Sequence, residues 1–346
     1  MKKTYFILLI IFIISSCKKD DDINNINQTG WVKFKNTIVK TSYSWDVNII
    51  RKDNILLCDF GYRLINLNNE NKEVTYKDFT DVSIYYDENS SRFNGLCSLD
   101  NNVWLVGNTC IYGSVDYGKS WTKIYQDANT FFTKVFFIDK NYGYAIGRNL
   151  NENKDCGVVY KTTNGGVCWE CVLTIHENNY SSIFRDVCIN NGTVWVIGEK
   201  WGDGLPSSTL VYTSNDEGLT WTNNNNITSL FNYSFVNTIQ FVDENGWISG
   251  YEEIIYTSDG GLTWNNIAVP NTGYINDFVF VDKNVGWAAC DYGVFHTIDG
   301  GFNWTKQLSP SSDDNEMFYC IDFLNKDFGV VAGANGAVYV TSNGGI

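Results

Sequence analysis

Histidine, proline, methionine and arginine are scarce in this chain of 346 residues, which holds two, three, two and five of them. His176 and His296 fit no metal-ligand spacing. Pro206, Pro270 and Pro310 each fall between expected strands, where a missing N–H does least harm. Positive charge is also short: 25 Lys and Arg face 39 Asp and Glu, a net charge of −14. Such a surface repels phosphate backbones, so no nucleic acid is expected as a partner. The apolar run at 5–14 falls short of the ~20 residues that span a bilayer. With Lys2 and Lys3 before it, the run reads as a signal peptide rather than a membrane helix.

Ile14, Ser15, Ser16 and Cys17 resemble the lipobox of bacterial lipoproteins. The resemblance implies a signal peptide over 1–16, lipidation of Cys17 and a flexible tether over 17–29, through which the protein meets the membrane. The Lys-Lys-Asp-Asp-Asp run at 18–22 resembles the acidic export signal of Bacteroidota surface lipoproteins. An outer membrane lipoprotein exposed at the cell surface is the expectation. A periplasm-facing anchor, or an ordinary signal peptide followed by an incidental cysteine, is the alternative. Loss of Lys2 and Lys3 with the signal peptide takes the net charge to −16.

Nine cysteines besides Cys17 cannot all pair. Cys97, Cys188 and Cys320 occupy apolar strand positions and read as buried thiols. Cys168 and Cys171 have redox or metal-knuckle spacing, but no second such pair exists. A strand following a turn is the plainer reading, and neither metal nor cofactor is expected.

What the chain does have is a repeat. Ser or Thr, any residue, Asp or Asn, any residue, Gly, two residues and Trp recur five times. The copies are Ser114, Asp116, Gly118, Trp121; Thr162, Asn164, Gly166, Trp169; and Ser214, Asp216, Gly218, Trp221. Thr257, Asp259, Gly261, Trp264 and Thr297, Asp299, Gly301, Trp304 complete the set. The pattern predicts a turn lock: the acidic side chain accepts backbone N–H bonds, and the Gly takes a positive φ that a Cβ would obstruct. The Trp then packs at the start of the next strand. Short β-rich runs at 239–243, 246–250 and 254–256 precede one motif, and 278–282, 286–289 and 294–296 the next. Four strands per unit, with Trp spacings of 48, 52, 43 and 40 residues, predict an all-β fold of propeller blades. An aromatic content of 16% can supply its core.

A sixth copy begins at Thr341 and reaches Asn343 and Gly345, without its Trp. Trp31, with the strand residues after it, reads as the missing Trp and outer strand. The N-terminal strand would thus complete the last blade and leave no open edge there. A chain cut short is the alternative. Room for two blades between Trp31 and Trp121 makes the total seven, over 30–346; the first has a decayed turn near 68–72.

The unit from Gly-Trp through Thr-x-Asp-Gly-Gly-x-x-Trp, clearest at 285–304, resembles the photosystem II stability/assembly factor family of Asp-box (bacterial neuraminidase repeat) propellers. The resemblance covers 31–346 and implies the fold and the turn. Family members scaffold membrane complexes through basic patches, whereas this chain is acidic. Asp-boxes also occur in sialidases, xyloglucan-type hydrolases and sortilin. A sialidase needs an arginine triad. Here only Arg51, Arg63, Arg92, Arg148 and Arg185 exist, and no Phe/Tyr-Arg-Ile/Leu-Pro element is present.

The expected function is a non-catalytic binding or assembly module for protein or glycan, acting as a monomer. The alternative is a glycoside hydrolase or lyase acting on extracellular polysaccharide, which needs only two carboxylates. Any ligand is expected on the face opposite the turn locks, over the loops at 148–155, 176–183, 199–208, 223–235 and 309–317. Arg148, Tyr180, Arg185 and Trp201 are the candidate contacts.

Overall fold

The computed structural model describes residues 30–34, 44–59, 63–79, 93–150, 154–176 and 179–346. The signal peptide, Cys17 and the tether lie outside the described residues. Within them, short apolar runs broken by Gly, Asn and Asp turns form 28 strands in seven antiparallel four-stranded sheets. Blade 1 runs outward through Asp46–Arg51, Asn54–Asp59, Arg63–Asn68 and Glu73–Asp78. Its second strand is wholly buried and its outer strand largely exposed. The first strands of the blades touch one another in a closed ring, so the sheets radiate from a central channel. This is the seven-bladed propeller that the repeat predicts.

Apolar clusters fill the seams between blades. Leu57 and Ile65 of blade 1 pack against Val330 and Val338 of blade 7, for example. Burying each such side chain contributes ~1.5–3 kcal/mol. Tryptophans of the second strands key three of the seams. Trp104, Trp247 and Trp287 stack on Phe137, Phe280 and Phe323 of the next blade, with centroids 3.6, 3.9 and 3.7 Å apart. Their indole N–H groups donate to Gly165, Gly300 and Gly344 in that blade's turn. Before Trp247 and Trp287 a glycine makes room: a Cβ on Gly246 or Gly286 would lie 2.4 or 2.6 Å from the Phe241 or Phe280 ring.

Polar staples join the innermost strands. Leu96, Ile239, Ile321 and Ile49 donate their N–H groups to Asp46, Asp186, Asp277 and Asp322 of the preceding blade, at 2.7–3.0 Å. Cys97 accepts from Phe137 N–H, Thr133 donates to Phe184 C=O, and Gln240 exchanges two bonds with Phe280. Every seam therefore has one. Such staples fix the ring's register where strands of different blades cannot form a ladder.

Blade 7 is made of both ends of the described chain. Trp31–Lys33 pairs with Val338–Thr341, Trp31 opposite Thr341. Trp31 is fully buried, and its indole donates to Gln307 at 3.1 Å. It stands where the other motifs place their own Trp: a Cβ on Gly345 would lie 2.2 Å from its nitrogen. Lys33 binds Asp314 at 2.9 Å and the buried Glu316 at 2.6 Å.

The turns of the repeat share one hydrogen-bond pattern. In the second blade Asp116 accepts from Ser120 N–H and Oγ and from Ser114 Oγ, while Trp121 donates to Gly118 C=O at 2.8 Å. Asp216, Asp259 and Asp299 repeat this pattern. Gly118, Gly166, Gly218, Gly261 and Gly301 have φ between 81° and 95°. Asn164 keeps the acceptor role toward Thr162 and Cys168 N–H, but the buried Trp169 indole donates to no side chain or carbonyl among the described residues.

Three expectations are corrected. Residues 199–208 are not a loop: the strands Thr193–Gly202 and Leu205–Ser214 continue as a long hairpin beyond the ring. Pro206 lies inside the second of these strands, where the ladder shifts between Lys200 and Gly202 and no N–H is needed. Cys97 is only partly buried as a residue, and its thiol accepts the Phe137 N–H; Cys188 and Cys320 are buried as expected. Cys168 and Cys171 are exposed and unbridged.

Candidate functional site: the channel mouth

Each innermost strand begins on the face opposite the turn locks. The same three-residue step recurs there: a buried residue, a residue turned into the channel, then a second channel residue. In five blades the step is a β-bulge, at Asn94, Thr133, Arg185, Asn276 and Tyr319. A bulge presses the preceding carbonyl into the second strand. A Cβ there would meet Phe131, Ile183 or Met317 C=O at 1.8–2.1 Å, and Gly147, Gly198 and Gly333 occupy those positions.

The step builds two rings. The outer ring is Trp45, Asn94, Thr133, Arg185, Asn237, Asn276 and Tyr319, in blade order. The inner ring is Asp46, Gly95, Lys134, Asp186, Thr238, Asp277 and Cys320. Together with Phe131, all but Gly95 and Cys320 line a cavity of about 190 Å³. Lys134 of blade 3 passes blade 2 and reaches Asp46 of blade 1 at 3.0 Å. Gly95 permits this, since its Cβ would lie 3.0 Å from Lys134 Cα.

The inner ring holds three carboxylates and one ammonium. Burial alone would lower the Lys134 pKa, but Asp46, Asp186 and Asp277 around it raise it well above its ordinary value. Burial pushes Asp277 up to about 8 against the opposing pull of Lys134 and the Ile321 N–H. Asp186 is raised for the same reason, and Asp322, one step deeper, reaches about 6. In the outer ring Trp45 and Tyr319 stack in parallel, 5.0 Å apart.

The structure brings only some of the expected contacts together. Arg185 lines the cavity and donates through Nε and Nη2 to Glu199. Arg148 ends the strand Gly143–Asn149, pairs with Asp155 at 2.7 Å and covers the outer side of Phe131. Tyr180 and Trp201 lie out on the blade-4 hairpin, with Lys200 Nζ 5.0 Å from the Tyr180 ring. Sequence reasoning missed Lys134, the ring aspartates, Trp45 and Tyr319. The Trp/Tyr-x-x-Gly spacing at 144–147 and 195–198, which faces a bulge, would have pointed to Lys134 and Asp186.

Other chemistry is muted. Cys156 lies 3.3 Å from His176 Nδ1, but burial raises the thiol rather than activating it. His296 stacks on Trp287 as a packed strand residue. No cluster of three His, Cys, Asp or Glu among the described residues could hold a metal.

No family model and no curated protein matches this sequence. Solved structures do. YCF48 bound to D1 peptide has a TM-score of 0.63 and 17% identity, over 92% of this chain and 98% of that one. YCF48 from Cyanidioschyzon merolae gives 0.64 and 18%, over 90% and 98%. The GH74 enzyme of Niastella koreensis gives 0.57 and 13%, over 88% of this chain but 43% of that one. At these identities the likeness is one of fold: this chain is a propeller similar to those of the photosystem II assembly factor YCF48.

Proposed function

We propose that the chain is a non-catalytic binding or assembly module for protein or glycan. In this reading it is a monomer anchored by a lipid on Cys17 and displayed at the outer membrane surface. The observation that carries the reading is the channel mouth. It gathers differing side chains from all seven blades, whereas the Asp-box turns opposite consume their polar groups internally. A fold neighbour solved with a peptide bound agrees with it. Catalysis is disfavoured because the ring carboxylates already hold the ring together. Asp277 accepts from both Phe278 and Ile321 N–H, and Asp46 from Val47 and Leu96 N–H as well as Lys134.

The test is a binding screen of defined oligosaccharides and a peptide library. Arg185→Ala should weaken any hit, and Asp299→Ala should not. Loss of binding in a fully folded Asp299→Ala alone would reverse the assignment of faces. For the anchor, detergent-phase partitioning should be lost in Cys17→Ser; aqueous partitioning of both forms would refute it.

One observation favours the hydrolase or lyase reading. Asp277, with a pKa near 8, shares a cavity with Asp46, so one carboxyl can be neutral beside another held against Lys134. Release of reducing sugar from a polysaccharide, abolished by Asp277→Asn, would establish that reading instead.

A further inference from the structure

A strip of aromatic residues runs outward from the channel mouth over blades 5 and 6. Phe235 adjoins Asn237 of the outer ring, and its ring lies 4.2 Å from Tyr274. Tyr274 lies 4.9 Å from Tyr251, and Tyr251 lies 5.0 Å from Tyr233. Tyr292 follows Asp291, whose N–H donates to Tyr274 C=O at 3.1 Å. Tyr233 and Tyr292 are more than half exposed.

The strip is a built surface. Glu253, 2% exposed, accepts from Asn232 N–H and side-chain amide, Tyr233 N–H and the Asn266 amide. That carboxylate pins the loop carrying Tyr233 and Phe235. Tyr251 and Tyr274 form a β-bridge. Asp291 accepts from Tyr274 N–H and from the side chain of Asn276 in the outer ring, so strip and cavity are continuous.

Two features choose the occupant. Neighbouring rings are inclined by 59° to 73°. At 4.2–5.0 Å such rings pack edge to face and offer no flat platform for a sugar, but the exposed Tyr233 and Tyr292 can each take an ammonium or guanidinium over a ring face. The charge agrees: Glu252 and Asp291 border the tyrosines. We propose that the strip and the channel mouth bind an extended peptide segment rich in Arg or Lys, its cationic side chains laid over the exposed tyrosine faces beside Glu252 and Asp291. This rests on the binding-module reading above and narrows it to a cationic ligand.

The experiment is fluorescence anisotropy with a labelled alternating Arg–Gly peptide on the full chain, at an ionic strength of about 0.15 M where long-range attraction is screened. A Glu–Gly peptide and neutral hexasaccharides are the controls. Saturable binding of the Arg–Gly peptide is expected, with ~10-fold loss in the double variant Tyr233→Ala, Tyr292→Ala. Tyr233→Phe should retain affinity and Tyr233→Leu should lose it, because only the former keeps a π face. Melting curves establish that the variants are folded. Equal binding by the double variant, or full retention in Tyr233→Leu, overturns the proposal as charge attraction or apolar contact. Binding of the Glu–Gly peptide or a hexasaccharide instead, lost in Arg185→Ala, overturns the cationic ligand while the binding-module reading stands. Polysaccharide cleavage would remove both.

Discussion

The two faces of the ring are made from opposite ends of the same strands, yet they use polar residues in opposite ways. On the turn face one solution is repeated: Asp116, Asp216, Asp259 and Asp299 each accept the same three bonds from within their own turn. At the channel mouth one backbone step presents seven positions filled by Trp, Asn, Thr, Arg and Tyr. Identity across blades marks residues that serve the local fold. Diversity at equivalent positions marks a surface free to become asymmetric, which recognition of one ligand requires.

The comparison can be broken first at the seam where the chain ends meet. Trp31→Ala should cost about 3–5 kcal/mol in urea unfolding, the range for truncating a buried Trp. Val32→Ala, on an exposed neighbour, should cost almost nothing. Equal stability of Trp31→Ala and wild type would mean the seam is held by other contacts.

Next is the bulge that shapes the mouth. Gly333→Ala would push a methyl group to within 1.8 Å of Met317 C=O. Forced overpacking predicts a loss of about 1–3 kcal/mol, with a changed tryptophan emission if the step moves Trp45 and Tyr319. An unperturbed melt would show that the bulge tolerates a side chain.

The faces should also separate by pH. The turn aspartates Asp116, Asp216 and Asp259 are held down to about 2, first of all by hydrogen bonds from Ser120, Thr220 and Thr263. Their contribution is present above the ordinary carboxylate value and lost as pH falls toward 2. Asp322 and Asp277 are raised by burial to about 6 and about 8. Their contribution is present below the ordinary value and is lost as pH rises through those values. Denaturant unfolding across this range should show both limbs. Asp277→Asn should flatten the upper limb and leave the lower one. A fall that persists above pH ~6 in Asp277→Asn would assign it to another group.

The smallest effects sharpen the contrast. Asp299→Ala removes three accepted bonds at an exposed turn, so about 1 kcal/mol of stability is expected, with no effect on ligand binding. Trp201→Ala, out on the hairpin, should stay within about 0.5 kcal/mol of wild type. A binding defect there would extend the recognition surface outward along the blade-4 hairpin.

These differences also explain what the sequence discloses. A turn lock is written within eight consecutive residues, so its Asp, Gly and Trp can be read directly, and from their spacing the blades and the closing role of Trp31. The channel mouth takes one or two residues from each blade. Lys134 meets Asp46 across 88 positions of sequence, and nothing local to either names the other. The hairpin 193–214 was obscured because Gly202, Gly204 and Pro206 signal a loop, whereas a register shift accommodates them within the ladder. Arg185 was legible only as one of five arginines; its place in the ring depends on a bulge that Gly198 permits.

In six blades the outer strand is covalently continuous with its neighbour; in blade 7 it is held by three residue pairs, the Trp31 indole and the Lys33 ion pairs. A load applied to the chain ahead of Trp31 would therefore meet this joint before any other. The short antiparallel ladder would peel, and Trp31, lodged against Gly345 and Gln307, would act as the rivet. Loaded in this way, the joint would be the propeller's mechanical fuse.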